Sequence, residues 1–201
     1  MKKLKFNNYS FLIIAYLFAG SLLFVGKPFP TEKYDSPIVT LTKTSAILAD
    51  GKEIDLNPSY GKFTMILVRH AEKVDNTKES ALNEEGIARA NKLADILKSF
   101  KVDKIYTTNF NRAKLTAKPY KDKSGAAMET YNSDQQSALL AKIKKQRIRN
   151  TLVVGHVNTV PALVNEIGKL QIKDFDNYEY DNLIVIKTDF RGKGKVHFFK
   201  Y

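Results

Sequence analysis

The chain has no cysteine, and its 201 residues contain only three histidines. The absence of cysteine excludes a disulfide framework, a zinc finger, a cysteine-based phosphatase and a lipid-modified cysteine after a leader. Three histidines are too few for a two-metal phosphatase, which needs a larger set of His and Asp ligands. Neither a Gly-x-x-x-x-Gly-Lys-Ser/Thr phosphate loop nor a Gly-x-Ser-x-Gly elbow occurs.

The composition is that of a globular protein. Hydrophobic residues make up 43% of the chain, with no internal repeat and no low-complexity tract, which indicates one domain with a full core. The 33 basic residues exceed the 21 acidic ones, giving a formal net charge of +12. Such a charge is compatible with nucleic acid, an anionic membrane or a phosphorylated ligand, and charge alone does not choose among them.

The N-terminus has the order of an export signal. Lys2, Lys3 and Lys5 precede an uncharged, largely apolar stretch at residues 11–25. Residues 1–26 are therefore expected to be either a cleaved signal peptide or a retained membrane anchor, and a core helix fits this position badly. Both outcomes place the remainder outside the cytoplasm, as a periplasmic, secreted or membrane-anchored protein.

A short segment with two prolines follows this leader. Pro28 and Pro30 predict that residues 27–35 are a linker, so the folded domain is expected to span residues 36–201. Residues 38–56 contain short apolar runs around an Asp-Gly turn, which predict short strands or an N-terminal extension without an assigned role.

From residue 63 onward, strand and helix patterns alternate. The apolar runs 63–68 and 151–154 are typical of buried parallel strands. A stripe of apolar residues at helical spacing follows Asn83. Further patterns predict a strand at 102–106 and helices at 112–118, 134–147 and after Asn158. They also predict a hairpin of 183–186 with 195–199 that closes an edge of the sheet. The predicted fold is α/β, with three α/β/α layers and a mixed, mostly parallel sheet.

Two predicted strand tips each carry a histidine. Arg69 and His70 follow the first buried strand, and Gly155 and His156 follow the second. Open α/β sheets bind ligands at the carboxyl ends of their strands. An imidazole beside a guanidinium is suited to a phosphoryl group, which brings several negative oxygens. His197 has no such neighbours, so a surface or packing role is expected for it.

Four sequence motifs resemble those of the phosphoglycerate mutase-like histidine phosphatase superfamily. They are Arg69-His70-Ala71-Glu72, with alanine where glycine is usual; Leu82-Asn83-Glu84-Glu85-Gly86; the strand 105–108 followed by Arg112-Ala113-Lys114-Leu115-Thr116-Ala117; and Gly155-His156 with Asn158-Thr159 after it. Their order and spacing agree with the family over residues 63–168. The short connection between Arg112 and His156 is similar to that of small phosphatases with an open pocket.

The resemblance implies a role for each matching residue. His70 would be the nucleophile that becomes a phosphohistidine. Arg69 and Arg112 would hold the phosphate oxygens and, as neighbouring cations, lower the pKa of His70. His156 would donate to a phosphate oxygen. No metal and no cofactor are implied, because the protein supplies the positive charge.

The remaining site residues are less directly specified. Asn76, Asn158 and Thr159 are expected to contact the ligand, with Asn158 as the N-cap of the following helix. Val157 stands where some members have an acidic proton donor, which leaves Glu129 as the available acid candidate. Glu72 is expected to orient Arg69 through a salt bridge.

The predicted function is an exported or membrane-anchored, metal-independent phosphatase acting on phosphate monoesters of small molecules or on phosphoproteins. The basic residues at 142–149 are interpreted as a solvated helix face, so no nucleic acid is expected, and membrane contact is expected only through the N-terminal segment. Two alternatives stay open: a catalytically impaired relative that binds a phosphorylated ligand, and a basic binding protein of the cell envelope.

Overall fold

The computed structural model describes residues 27–56 and 61–201. The predicted leader at residues 1–26 lies outside these described residues. The strands are β1 Thr31–Lys33, β2 Ile38–Leu41, β3 Ser45–Leu48, β4 Glu53–Asp55, β5 Phe63–Arg69, β6 Lys104–Thr108, β7 Ala127–Tyr131, β8 Asn150–Gly155, β9 Asn182–Thr188 and β10 Gly194–Lys200. The helices are α1 Glu84–Ile96, α2 Asn111–Ser124, α3 Gln136–Gln146 and α4 Thr159–Gly168.

A seven-stranded sheet organises the domain, in the order β1-β10-β9-β5-β8-β6-β7. Four of its six neighbouring pairs are parallel, and the two pairs that involve β9 are antiparallel. The predicted mixed, mostly parallel sheet is therefore confirmed. Its centre is formed by β5 and β8, whose ends Arg69 and Gly155 are partners in the parallel register.

Side chains alternate between the two faces of the sheet, as expected for a strand. Ile66 and Val68 of β5 belong to the core that includes α1 and α2, whereas Met65 and Leu67 belong to the core beneath α3 and α4. Because both faces are covered by helices, these central strands consist of nearly continuous apolar runs. The three-layer α/β/α architecture is confirmed.

The start of α1 is fixed against the loop that follows β5. Asn83, which the apolar stripe follows in the sequence, caps the helix, because its Oδ1 accepts the backbone N–H of Gly86 at 2.8 Å. A Cβ at Gly86 would lie 2.1 Å from the backbone oxygen of Glu72. Only glycine permits this close approach, and it joins the helix to the segment that carries His70.

The N-terminal part of the domain differs from the prediction. The segment interpreted as a linker contributes β1, which pairs in parallel with β10, and Phe29 packs into the core at 5% exposure. A Cβ at Gly194 would lie 2.0 Å from the Phe29 ring. The predicted C-terminal hairpin is present as β9 and β10, but it lies inside the sheet because β1 occupies the edge.

The predicted short strands at residues 38–56 form a separate antiparallel sheet, β2-β3-β4. Ile38 and Leu41 of β2 are fully buried in the core that contains α1. His197 is fully buried, and its ring lies 6.1 Å from that of Tyr34 and 6.2 Å from that of Phe199. Of the surface and packing roles expected for it, the structure shows packing. No helix in the part of the chain that the structure describes is long and apolar enough to cross a membrane.

Candidate active site

The two strand-tip histidines lie side by side at the carboxyl edge of the sheet. Their strands are adjacent and parallel, and the backbone N–H of His70 donates to Gly155 O at 2.9 Å. The two imidazole centres are 5.2 Å apart, with ring planes inclined by 65°. The sheet therefore brings His70 and His156 together, as the sequence predicts.

His70 is held through one nitrogen only. Its Nδ1 lies 2.8 Å from the carbonyl oxygen of Ala71, which can only accept, so Nδ1 carries the proton and Nε2 keeps its lone pair. The Ala71 N–H in turn donates to Thr116 Oγ1 at 2.9 Å. The Ala71 methyl group is fully buried in a small apolar cluster with Leu82 and Ala90.

His70 is neutral at physiological pH. Burial lowers its pKa to about 3, and the charges of Arg112 and Arg69 and the neighbouring His156 add to this, while the hydrogen bond to Ala71 acts in the opposite direction. The sequence predicts the downward shift of this pKa, but it ascribes the shift to the arginines. In the structure, the larger cause is loss of solvent, since only 3% of the residue is exposed.

His156 is held through its Nε2 atom, whereas His70 is held through Nδ1. Its Nε2 lies 2.8 Å from Thr108 Oγ1, at the tip of β6, and its backbone N–H donates to Thr159 Oγ1 at 2.8 Å. Burial, followed by the charges of Arg112 and Arg69, lowers the pKa of His156 to about 4. A neutral imidazole thus stands beside His70 until an anion arrives.

Arg69 is oriented by a loop between α4 and β9. Its Nη1 donates to the backbone oxygens of Asp176, Asn177 and Glu179 at 3.1, 2.9 and 3.1 Å. The guanidinium carbon lies 3.8 Å from the centre of the Tyr180 ring. Arg69 Nε is buried and has no hydrogen-bond partner among the described residues.

Arg112 lies in the first turn of α2 and points towards the same edge. Its Nη1 donates to Thr77 O at 3.0 Å, and its guanidinium carbon lies 4.3 Å from the centre of the Phe110 ring. The Phe110 ring also contacts His156 edge-on at 4.9 Å. As in Arg69, the Nε atom of Arg112 is buried without a partner in the described part of the chain.

The prediction that Glu72 forms a salt bridge with Arg69 is wrong. Both carboxylate oxygens of Glu72 accept from Nε of Arg89, at 2.8 and 2.9 Å, and Arg89 also donates to Tyr201 O. Arg89 lies on α1, which packs directly on the Glu72 segment. Glu72 therefore fixes the His70 loop to a helix, and the orientation of Arg69 comes from the backbone of residues 176–179.

The two histidines and the arginines Arg69 and Arg112 line a pocket of about 690 Å³. Its lining consists of Arg69, His70, Lys73, Asn76, Phe110, Arg112, Ser133, Asp134, His156, Val157, Asn158, Thr159, Asn177, Tyr178 and Tyr180. The predicted residues Asn76, Asn158 and Thr159 are thus at the site. Asn158 precedes α4 as predicted, but its side chain makes no cap hydrogen bond, and the residue has helical dihedrals of −101° and −38°.

Glu129 is not brought to the pocket. It lies on the edge strand β7, where it forms ion pairs with Lys104, at 2.7 Å, and with Lys142. Hydrogen bonds from Lys104 and then Lys142 lower its pKa, which favours the ionised form. The role of proton donor suggested for Glu129 is therefore not supported by its position. Asp134, three residues beyond β7, is the single carboxylate among the described residues that line the pocket.

The aromatic and acidic members of the site do not follow from the sequence patterns. The exception is Phe110, which lies two residues before the predicted helix at 112–118 and is therefore near a motif that the sequence does show. The sequence predicts that Asp134 starts a helix, but α3 begins at Gln136 and leaves Asp134 in the preceding loop. Tyr178 and Tyr180 belong to a loop distant in sequence, and no local pattern relates them to Arg69.

Comparison with known proteins relates part of the chain to one family. The sequence model of the histidine phosphatase superfamily (branch 1) matches residues 65–135, which contain Arg69, His70 and Arg112. This part of the chain is similar in sequence to the histidine phosphatase superfamily. A search of curated protein sequences finds no match.

Solved structures of histidine phosphatases share the fold. The protein histidine phosphatase SixA, complexed with tungstate, is 18% identical with a TM-score of 0.58, covering 69% of this chain and 97% of its own. A mycobacterial glucosyl-3-phosphoglycerate phosphatase with inorganic phosphate is 12% identical with a TM-score of 0.58, covering 69% and 97%. At these identities the likeness establishes the fold.

Proposed function

We propose that this chain is a phosphatase that transfers a phosphoryl group to Nε2 of His70 and then releases it to water. The observation that carries the proposal is the hydrogen bond from His70 Nδ1 to Ala71 O, at 2.8 Å. It orients the ring, fixes the tautomer and leaves a lone pair on Nε2, as a nitrogen nucleophile requires. The low pKa of His70, about 3, keeps this lone pair free at neutral pH.

The cationic residues around His70 can stabilise the phosphoryl group while it is transferred. As Nε2 attacks phosphorus and the bond to the leaving oxygen breaks, negative charge spreads over the three remaining oxygens. The guanidinium groups of Arg69 and Arg112 line the pocket and can donate to these oxygens, and His156, whose Nε2 is engaged by Thr108, can donate through Nδ1. Attack by water on phosphorus then breaks the bond between phosphorus and Nε2, which forms inorganic phosphate and returns the neutral imidazole. The proton lost by the water passes to the carboxylate that protonated the leaving oxygen.

The oxygen of the leaving group must be protonated as its bond to phosphorus breaks, unless the leaving group is a weak base that can depart as an anion. We assign this task to Asp134, since it is the carboxyl group that the described pocket lining provides. The substrates that we propose are those expected from the sequence, phosphate monoesters of small molecules or phosphoproteins. SixA and the mycobacterial enzyme, by their names, act on a phosphorylated protein histidine and on glucosyl-3-phosphoglycerate.

Hydrolysis of para-nitrophenyl phosphate tests the proposal. We expect turnover by the wild type, loss of turnover in His70→Ala and retained turnover in His197→Phe, which alters a buried histidine outside the site. Rapid quenching should trap an acid-labile phosphoryl label on His70. Measurable turnover without this label would contradict the covalent route.

A second candidate function is binding of a phosphorylated ligand without hydrolysis. It is favoured by the position of Glu129, which is bound to two lysines away from the pocket. Its signature would be phosphate affinity that Arg112→Ala abolishes, in a wild type without turnover on any phosphate ester.

We also propose a location outside the cytoplasm, based on the basic and then apolar order of residues 1–26. The mass of the mature protein isolated from cells, together with its distribution between membrane and soluble fractions, distinguishes a cleaved leader from a retained anchor. Full-length protein in the cytoplasmic fraction would overturn the proposal.

A further inference from the structure

A hydrogen-bonded turn contributes to the lining of the phosphate pocket and carries an unpartnered aromatic ring. The turn, residues 176–179, is closed by Glu179 N–H donating to Asp176 O at 3.0 Å and by Asp176 N–H donating to Glu179 Oε2 at 2.9 Å. Phe175 N–H donates to Val157 O at 3.0 Å, which attaches the turn to the residue after His156. The guanidinium of Arg69 holds its inner side through three carbonyl oxygens.

Tyr178 is the exposed residue of this turn. Its relative exposure is 93%, and it nevertheless belongs to the pocket lining. The two other aromatic side chains of the lining are occupied, since Tyr180 stacks on Arg69 and Phe110 on Arg112. Within residues 27–56 and 61–201, the Tyr178 ring makes no ring contact or side-chain hydrogen bond, so its faces are left to solvent or to a ligand.

The position of Tyr178 relates it to the leaving group. The phosphoryl group is expected between His70, Arg69 and Arg112, and the leaving group must extend from there towards the mouth of the pocket. Ser133, Asp134 and Asn158 supply polar groups in the same lining. The mouth thus offers one flat apolar surface and several hydrogen-bonding groups.

We propose that Tyr178 stacks on the leaving group and that the substrates of this site are phosphate monoesters of alcohols bearing an aromatic ring. An aromatic ring that stacks on Tyr178 gains binding free energy from the stacking in addition to that from the apolar area it buries. An aliphatic ring of the same size gains only the part due to buried area. The turn can act in this way because Arg69 fixes its backbone before a ligand binds, so little ordering is needed. This inference rests on the proposed function for the phosphate end of the site.

Binding of three non-hydrolysable or inert ligands tests the two ideas separately. Benzylphosphonate and cyclohexylmethylphosphonate have the same phosphonate group and ring size but differ in aromaticity, and inorganic phosphate reports on the phosphate end alone. Dissociation constants are measured by titration calorimetry for wild type, Tyr178→Ala, Tyr178→Phe and a control, Val74→Ala. Val74 is also exposed, at 66%, but it does not line the pocket.

We expect the wild type to bind benzylphosphonate roughly five- to tenfold more tightly than cyclohexylmethylphosphonate. Tyr178→Ala should remove this preference without changing phosphate affinity, whereas Tyr178→Phe and Val74→Ala should retain it. No aromatic preference in the wild type, or one that survives in Tyr178→Ala, would overturn the role of Tyr178 and leave the phosphate site intact. Failure of the wild type to bind any of the three ligands would overturn the proposed function and this inference with it.

Discussion

The Nε2 atom of His156 lies 2.8 Å from Thr108 Oγ1, so this ring is anchored through the nitrogen that His70 leaves free. His70 is anchored instead through Nδ1. Two histidines on neighbouring parallel strands therefore present different nitrogens to the same pocket. In the proposed mechanism, His156 donates to a phosphate oxygen through Nδ1, and His70 attacks phosphorus through Nε2.

Removal of the Thr108 hydroxyl should release the His156 ring. We expect Thr108→Val to reduce kcat roughly fivefold, because one hydrogen bond that positions the imidazole is lost while the volume is kept. KM should change little, since Arg69 and Arg112 still bind the phosphate. Steady-state kinetics with para-nitrophenyl phosphate measure both constants. An unchanged kcat in a correctly folded Thr108→Val protein would contradict the positioning role.

The proton-donor assignment predicts a dependence on the leaving group. Asp134→Asn should lower kcat on an alkyl phosphate by roughly 100-fold, because the alkoxide requires a proton as it departs. The effect on para-nitrophenyl phosphate should be much smaller, since nitrophenolate leaves without one. Asp122→Asn, which removes an exposed carboxylate of α2 outside the pocket lining, is the matched control. Equal losses on both substrates would contradict the assignment.

The fold and the centre of the site follow from local sequence patterns. Buried parallel strands are nearly continuous apolar runs, so residues 63–68 and 151–154 suffice to place His70 and His156 at one edge of the sheet. Arg112 follows in the same way, as part of a short motif at the start of a helix.

Features that depend on contacts between distant segments do not follow from local patterns. Thr31 of β1 pairs with Val196, near the other end of the chain. No local pattern within residues 27–35 predicts this pairing. Likewise, Glu72 has more than one arginine that it could pair with, and only the packing of α1 decides for Arg89. The loop that holds Arg69 binds it through backbone carbonyl groups. Because every residue has such a group, the sequence does not predict this contact.

The ion pair between Glu72 and Arg89 should contribute measurably to stability. Glu72→Gln is expected to lower the free energy of unfolding by about 1–3 kcal/mol, since charged hydrogen bonds at a half-buried guanidinium are lost. Glu85 is a matched control, because it also contacts Arg89, at 3.6 Å, but is largely exposed. Glu85→Gln should cost less than about 0.5 kcal/mol in urea unfolding. Equal losses for the two variants would contradict the structural role of Glu72.

The buried histidines predict that mild acid destabilises the fold. Burial lowers the pKa of His70 to about 3 and the pKa values of His156 and His197 to about 4, from an ordinary value of 6.5. Above pH 6.5 neither the folded nor the unfolded chain holds these protons, so they do not affect stability. Below it, the unfolded chain takes them up first, and the free energy of unfolding falls as the pH decreases towards 4.

Each histidine should contribute up to about 2 kcal/mol to the loss between pH 7 and pH 5. Urea unfolding at both pH values, by circular dichroism, measures the total. His197→Phe should reduce the loss by one histidine's share, because it removes a fully buried imidazole outside the active site and leaves His70 and His156 in place. A pH dependence that is identical in His197→Phe and the wild type would show that His197 is protonated equally in the folded and unfolded chains.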